Sequence, residues 1–306
     1  MSDDVTEIVA QLSALLGPRG GEIEPILGAL TRLAFKVRLG GSDYVVHLPG
    51  GEAGLLGIDP RSEQEAGARA AELGVAPPVV ARLERPACFV TELVPGRPLD
   101  AEDLRRPAAL AELAAALRTF HDCGLELPRR FDPYRWVEEQ VKAASSRGVE
   151  PPEGYAVALA QANEIERTVG RHRDHRIAPC HANLRPPNLW HDGERILIDG
   201  WRYAAMCDRF YDLGDLAASI ELDDEGERLL LAAYFDEEPG SRRLAAIKLT
   251  RFLSDLVEAA WGLVESGLAK HDVDYSGHAS EHFRRLGETG TNPQFKVWIN
   301  QASKRK

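Results

Sequence analysis

The chain has 306 residues, 44% of them apolar and 28% charged, and its 48 Asp and Glu against 37 Lys and Arg give a formal charge of −11. That is ordinary globular composition, long enough for one large or two modest domains. The acidic balance excludes a general nucleic-acid or anionic-membrane binder, which needs a basic footprint, and it is compatible with a cationic small-molecule partner. No apolar run approaches the ~18 residues that cross a bilayer. The opening MSDDVTEIVA is acidic where a signal or transit peptide is basic, so a cytoplasmic location is expected. Cys88, Cys123, Cys180 and Cys207 are scattered without a CxxC pair, which predicts reduced, mostly buried thiols. No two Cys or His at ligand spacing lie near a second such pair, so no zinc site is expected.

In chain order, the apolar spacing of Ile8, Val9, Leu12, Leu15 and Leu16 predicts a helix over Asp4–Leu16, stopped by Gly17-Pro18. Ala34–Leu39 and Tyr44–Leu48, joined through Gly40-Gly41-Ser42-Asp43, predict a β-hairpin. A helix over Arg61–Leu73 and strands over Val79–Leu83 and Cys88–Leu93 follow, before the turn Pro95-Gly96-Arg97-Pro98. From Asp103 the pattern turns helical, with one amphipathic helix marked by Leu110, Leu113, Ala114, Leu117 and Phe120 and another over Tyr155–Val169. The loop Pro179–Asn188 leads to a short hairpin around His191-Asp192-Gly193-Glu194, and helices dominate Asp212–Leu268. Gln294–Lys306 reads as a helical end with a solvated basic tail, Lys304-Arg305-Lys306. The expected class is α+β, with a small β-rich lobe over residues 1–95 and a larger helical lobe over 96–306.

The segment His181-Ala182-Asn183-Leu184-Arg185-Pro186-Pro187-Asn188 resembles the catalytic loop of the choline/ethanolamine kinase and aminoglycoside phosphotransferase group, relatives of protein kinases, whose pattern is His-x-Asp with Asn five residues later. The likeness continues through Arg195–Ala204, Asp208–Leu216 and Arg251–Gly262, which look like the bacterial choline-kinase branch. Gly28-Ala29-Leu30-Thr31 resembles the nucleotide loop, Tyr44–Gly50 the strand bearing the phosphate-binding cation, and Glu63 the helix glutamate. The resemblance covers nearly the whole chain. It implies a two-lobed protein-kinase-like fold, a nucleotide partner and a small amino-alcohol partner, with ATP and Mg²⁺ as cofactors if the chain is active.

Four positions depart from that pattern. Asn183 stands where the family has its Asp, with His181 two residues before it. An amide can hold a hydroxyl but cannot take its proton, and losing a general base typically costs ~10² to 10⁴ in rate. The family motif Ile-Asp-Trp-Glu places its Asp twelve residues after the loop Asn. Counting from Asn188 without a gap gives Gly200 for that Asp and Arg202 for the Glu, with Trp201, Tyr203 and Ala204 in register. Asp199 then falls one position early and aims to the opposite face, whereas a gapped register returns it to the metal role beside Asn188. Metal binding is therefore in doubt. His47 stands at the position of the phosphate-binding cation, either as a ligand for phosphate or as a packed strand residue.

The resemblance places Thr31, His47, Glu63 and Arg202 at the nucleotide and Asn188 and Asp199 at the metal. It also implies an amino-alcohol pocket lined by the carboxyl-terminal helices. Asp255, Glu258 and Trp261 recur every three residues, on one side of a helix, and carboxylates with an indole suit an alkylammonium head. Asp212 and Asp215 are expected to cap or brace the next helix. Two functions follow. One is a pseudokinase whose cleft, carrying Arg185, Arg202, His181 and His47, holds a nucleotide phosphate without Mg²⁺. The other is an active ATP-dependent choline or ethanolamine kinase in which Asn183 only orients the hydroxyl.

Overall fold

The structure, a computed structural model, describes residues 3–26, 33–48, 54, 56–84, 87–169, 174–268 and 273–303. In chain order these form α1 (Asp3–Leu16), β1 (Glu24–Pro25), β2 (Leu33–Leu39), β3 (Ser42–Leu48), α2 (Pro60–Glu72), β4 (Val79–Glu84), β5 (Ala87–Glu92) and β6 (Arg97–Pro98). Next come α3 (Ala101–Leu104), α4 (Pro107–His121), α5 (Pro133–Ser145), α6 (Tyr155–Thr168), β7 (Ile177–Cys180), β8 (Leu189–His191), β9 (Ile196–Ile198) and β10 (Ala205–Asp208). The chain ends in α7 (Arg209–Ser219), α8 (Asp224–Phe235), α9 (Ser241–Leu268), α10 (Tyr275–Thr291) and α11 (Phe295–Ser303). The nucleotide-loop segment 28–31 with Thr31, and the tail Lys304-Arg305-Lys306, lie outside the described residues.

Two compact units divide the chain, residues 1–100 with 186–204, and residues 101–185 with 205–306. The segment 186–204 thus packs with the amino-terminal unit although it follows residue 96 in the chain.

The first unit is an antiparallel sheet in the order β1-β2-β3-β5-β4. Side chains alternate across it. Val37, Leu39, Val46, Leu48, Cys88 and Val90 turn to one face and bury Ile8, Val9 and Leu12 of α1. His47 and Phe89, the intervening residues, turn to the other face. There α2 presents Gly67, whose bare Cα leaves ordinary contact distance, 3.7 and 3.8 Å from an added Cβ, to Trp201 and Phe89. Asp59 caps α2 by accepting from the Arg61 and Ser62 amides at 3.3 and 3.1 Å, and Pro60 supplies a first helical residue that needs no partner for its nitrogen.

In the second unit the 28-residue α9 is the central element, packed by α5, α7, α8, α10 and α11. Leu249, Phe252, Leu256, Ala259, Ala260 and Val264 form its broad buried apolar face, and Lys248, Arg251, Asp255 and Glu258 lie on the other side. Gly262 lets α10 approach: a Cβ there would lie 3.0 Å from Ala279. Asp132, Asp208, Asp223 and Asp274 cap α5, α7, α8 and α10. The cap of α7 is therefore Asp208, which corrects the expected capping role of Asp212 and Asp215; both of these are buried inside the unit.

Candidate functional site

In the second unit, the loop after β7 turns through Ala182, which has φ +59°. Asp212 holds that turn. Its fully buried carboxylate accepts from the His181 amide at 2.8 Å, the Ala182 amide at 2.7 Å and His121 Nε2 at 2.9 Å, and His121 Nδ1 in turn meets the Tyr234 hydroxyl at 2.7 Å. Burial alone would raise the Asp212 carboxyl, but the His121 hydrogen bond and charge, with the backbone donors, keep it below its usual value. One turn later, Asp215 accepts from the Leu184 amide and from the Ser254 hydroxyl, both at 2.6 Å. Burial pushes this second carboxyl up to about 7, against the opposing charge of Arg185.

So fixed, the loop presents Asn183. Its amide donates to His181 Nδ1 at 3.2 Å, which makes Nδ1 an acceptor, and its Oδ1 accepts from Arg185 Nε at 3.0 Å. The far side of the Arg185 guanidinium meets Glu258 Oε1 at 2.5 Å. Glu258 Oε2 then faces His278 Nε2 at 3.0 Å. Burial would raise the Glu258 carboxyl, but Arg185 and His278 outweigh it and hold the group down at about 2. Asp255, one turn earlier on α9, meets His282 Nδ1 at 2.8 Å and Arg285 Nε at 3.1 Å. Trp261 lies edge-on to Tyr275 and His278, ring centroids 5.6 and 5.4 Å away. The structure thus brings Asp255, Glu258 and Trp261 to the α9–α10 side of the unit, and both carboxylates already carry cationic or imidazole partners.

In the first unit, Asp199 and Asn188 are joined through the backbone, the Asp199 amide donating to the Asn188 carbonyl at 2.8 Å, and Asp199 Oδ1 accepts from the Gly200 amide at 2.7 Å. Gly200 has φ +80°, a left-handed conformation that glycine adopts without steric cost. A Cβ at Gly200 would sit 2.3 Å from Asn188 Oδ1. Position 200 is therefore the one whose side-chain direction meets the Asn188 amide, and the amide fills the space that such a side chain would need. Mg²⁺ takes carboxylates together with phosphate oxygens. Here the position aimed at Asn188 is a glycine, and Oδ1 of Asp199, the one carboxylate between 196 and 204, is bonded to a backbone amide. The Asn188 side chain thus meets no carboxylate from position 200.

Next to this turn, Trp201 donates its indole N–H to the Ile198 carbonyl at 2.9 Å, and Arg202 is buried. Glu63 is buried in the first turn of α2. His47 is 2% exposed, stacked on Phe89 at 4.4 Å with its Nε2 3.0 Å from the Thr91 hydroxyl.

A β-rich unit joined to a mainly helical one, with an Asp-pinned loop after β7, is the α+β protein-kinase-like fold. Residues 22–247 match the phosphotransferase enzyme family, and the chain belongs to it. A choline/ethanolamine kinase family protein from Mesorhizobium loti is similar over 98% of this chain and 99% of its own, with 26% identity and a TM-score of 0.83. "Probable choline kinase 2" of Arabidopsis thaliana is 23% identical over 91% of this chain and 88% of its own. LicA in complex with AMP shares the fold at a TM-score of 0.71 and 19% identity, over 93% of this chain and 97% of that one.

Sequence reasoning missed His278 and His282. The spacing His-x-x-x-His on α10 places both on one helix face, a signal that goes unnoticed when a second Cys or His pair is required. It also missed that Asp212 and Asp215 are the anchors of the 181–184 loop, because that role depends on long-range packing.

Proposed function

We propose that this chain is a choline/ethanolamine-kinase-like protein of impaired catalysis. It binds a nucleotide, with a small amino alcohol as its second ligand, and transfers phosphate weakly or not at all. The observation that carries the reading is the pair of substitutions at the chemically demanding positions: an amide at Asn183 and a glycine facing Asn188 at position 200. Phosphoryl transfer depends on charge placed at the phosphates and on a group that orients the attacking oxygen. Asn183 can orient, but it has no lone pair basic enough to accept a proton near neutral pH. Its amide oxygen, moreover, already accepts from Arg185.

The nucleotide part of the reading is supported by the family and by the AMP held by LicA. The amino-alcohol part is supported by the choline-kinase relatives and by Trp261 beside Glu258 on α9. A guanidinium such as Arg202 at the family Glu position suits phosphate held without metal.

The test is calorimetric titration with ATP and AMP, with and without Mg²⁺, together with steady-state ADP release in the presence of choline or ethanolamine. Nucleotide binding of equal strength with and without Mg²⁺, and no ADP release above background, is the expected result. Steady ADP release that requires Mg²⁺ and is abolished in Asn188→Ala would establish an active kinase instead, with Asp199 at the metal.

A further inference from the structure

The α9–α10 contact carries a donor set that phosphoryl transfer does not call for. Glu258, His278 and His282 each offer one ligand atom, and the three atoms lie within 4.8 Å of one another. We propose that these residues form a binding site for one zinc-class divalent cation, clamping α10 to α9. Two histidines and one carboxylate are a donor set that tetrahedral zinc takes, with water in the fourth position.

The geometry is favourable in three respects. First, His278 and His282 are one turn apart on α10 with ring centroids 4.5 Å apart, and Gly262 permits the close helix approach that sets Glu258 against them. Second, Glu258 Oε2 and His278 Nε2 are 3.0 Å apart, close to the roughly 3.3 Å edge of a tetrahedron built on Zn–N and Zn–O bonds of about 2.0–2.1 Å. The ion replaces the hydrogen bond between them, and the His278 proton moves to Nδ1.

Third, His282 is already oriented. Its Nδ1 faces Asp255 Oδ1 at 2.8 Å. A carboxylate only accepts, so Nδ1 is the donor and Nε2 is the ring nitrogen that would face the ion. A carboxylate behind a ligating imidazole is the usual outer support of a metal-bound histidine. The side chains of Glu258, His278 and His282 are 13%, 30% and 11% exposed, sheltered but reachable from solvent.

Two charges oppose the ion: Arg185 on Glu258 Oε1, and Arg285 on Asp255. Arg185 occupies only one of the two Glu258 oxygens and leaves Oε2 to the metal, while Asp255 offsets the Arg285 guanidinium. This site differs from the Asn188–Asp199 segment in residues, unit and metal class. It shares Glu258 with the amino-alcohol pocket proposed above, so the ion and an alkylammonium head compete for that carboxylate whether or not the chain transfers phosphate.

The test uses the full chain, freed of metal by a chelator and titrated with Zn²⁺ alone against a chromophoric zinc indicator, with Co²⁺ as a spectroscopic substitute. One ion per chain and the visible absorption of tetrahedral cobalt are expected. His278→Ala and His282→Ala should each weaken binding at least tenfold, Asp255→Asn by about 10–100-fold, and His191→Ala in the other unit not at all. Circular dichroism establishes that each variant is folded. Should His282→Ala fail to fold, His278→Ala and Glu258→Gln carry the same test. No stoichiometric ion, or an ion held equally well by the His278 and Glu258 variants, overturns the proposal.

Discussion

Replacing Glu258 by Gln tests the electrostatics of the second unit most directly, because it removes one charge and keeps the shape. The Glu258 carboxyl is held at about 2 against a usual 4.5. At about 1.4 kcal/mol per unit, its charge contributes about 3 kcal/mol to the folded state at neutral pH. The folded value lies below the unfolded one, so this contribution is complete above pH 4.5 and fades as the pH falls toward 2. An independent argument gives a similar size. Taking one partner from a buried ion pair costs about 3–5 kcal/mol, and the low end applies because Arg185 keeps 24% of its side chain exposed. Urea unfolding of wild type and Glu258→Gln at pH 7 and pH 3 reads the difference. A deficit of about 3 kcal/mol at pH 7, falling to about half at pH 3, is expected. Equal stabilities at pH 7, or a deficit that does not shrink in acid, would refute the assignment. Adding Arg185→Met should recover part of the loss, since the stranded cation is then gone.

Asp212→Ala leaves the His181 and Ala182 amides and His121 without their acceptor. At about 1–3 kcal/mol per stranded buried group, it should cost more than about 3 kcal/mol and accelerate hydrogen exchange at residues 181 and 182. Asp215, pushed up to about 7 from a usual 3.8, has the opposite sign to Glu258. Its folded form favours the proton, so wild-type stability should decline as pH rises from about 4 to 7, and Asp215→Asn should flatten that slope in unfolding curves. Gly200→Ala forces a Cβ to 2.3 Å from Asn188 Oδ1 at φ +80°. The backbone term alone is about 1–2 kcal/mol, so thermal unfolding should show at least that loss.

Many of the helices and strands were legible because their signals are local. Ile8, Val9 and Leu12 recur at helical spacing and bury where that spacing points them, and Gly40-Gly41 turns the hairpin between β2 and β3. α5 and α10 went unread although Asp132 with Pro133, and Asp274, stand at their starts. The 181–188 loop was legible as a motif, but its anchoring was not. Asp212 and Asp215 are about 30 residues downstream, and from sequence they look like the acidic first turn of a helix. That they turn inward to bond the His181, Ala182 and Leu184 amides follows from the packing of α7 against β7 and α9. Likewise the spacing of Asp255, Glu258 and Trp261 gave their shared face, but not the histidines and arginines that meet them.

The substitution at 183 also agrees with the charges around it. Arg185 donates to Asn183 Oδ1 and pairs with Glu258, while Asp215 lies near enough to be attracted by the one and repelled by the other. An aspartate at 183 would add a further negative group beside Arg185 and Glu258. Burial and its neighbours already drive Asp215 up to about 7, and one more charge would drive it higher. With the neutral amide, one guanidinium balances one fully ionised carboxylate, and the loop keeps its shape without a carboxylate at 183. A loop so arranged keeps hydrogen-bonding groups at the positions where the family has its acid. Holding a ligand needs only those groups, whereas moving its proton needs a lone pair more basic than an amide oxygen offers.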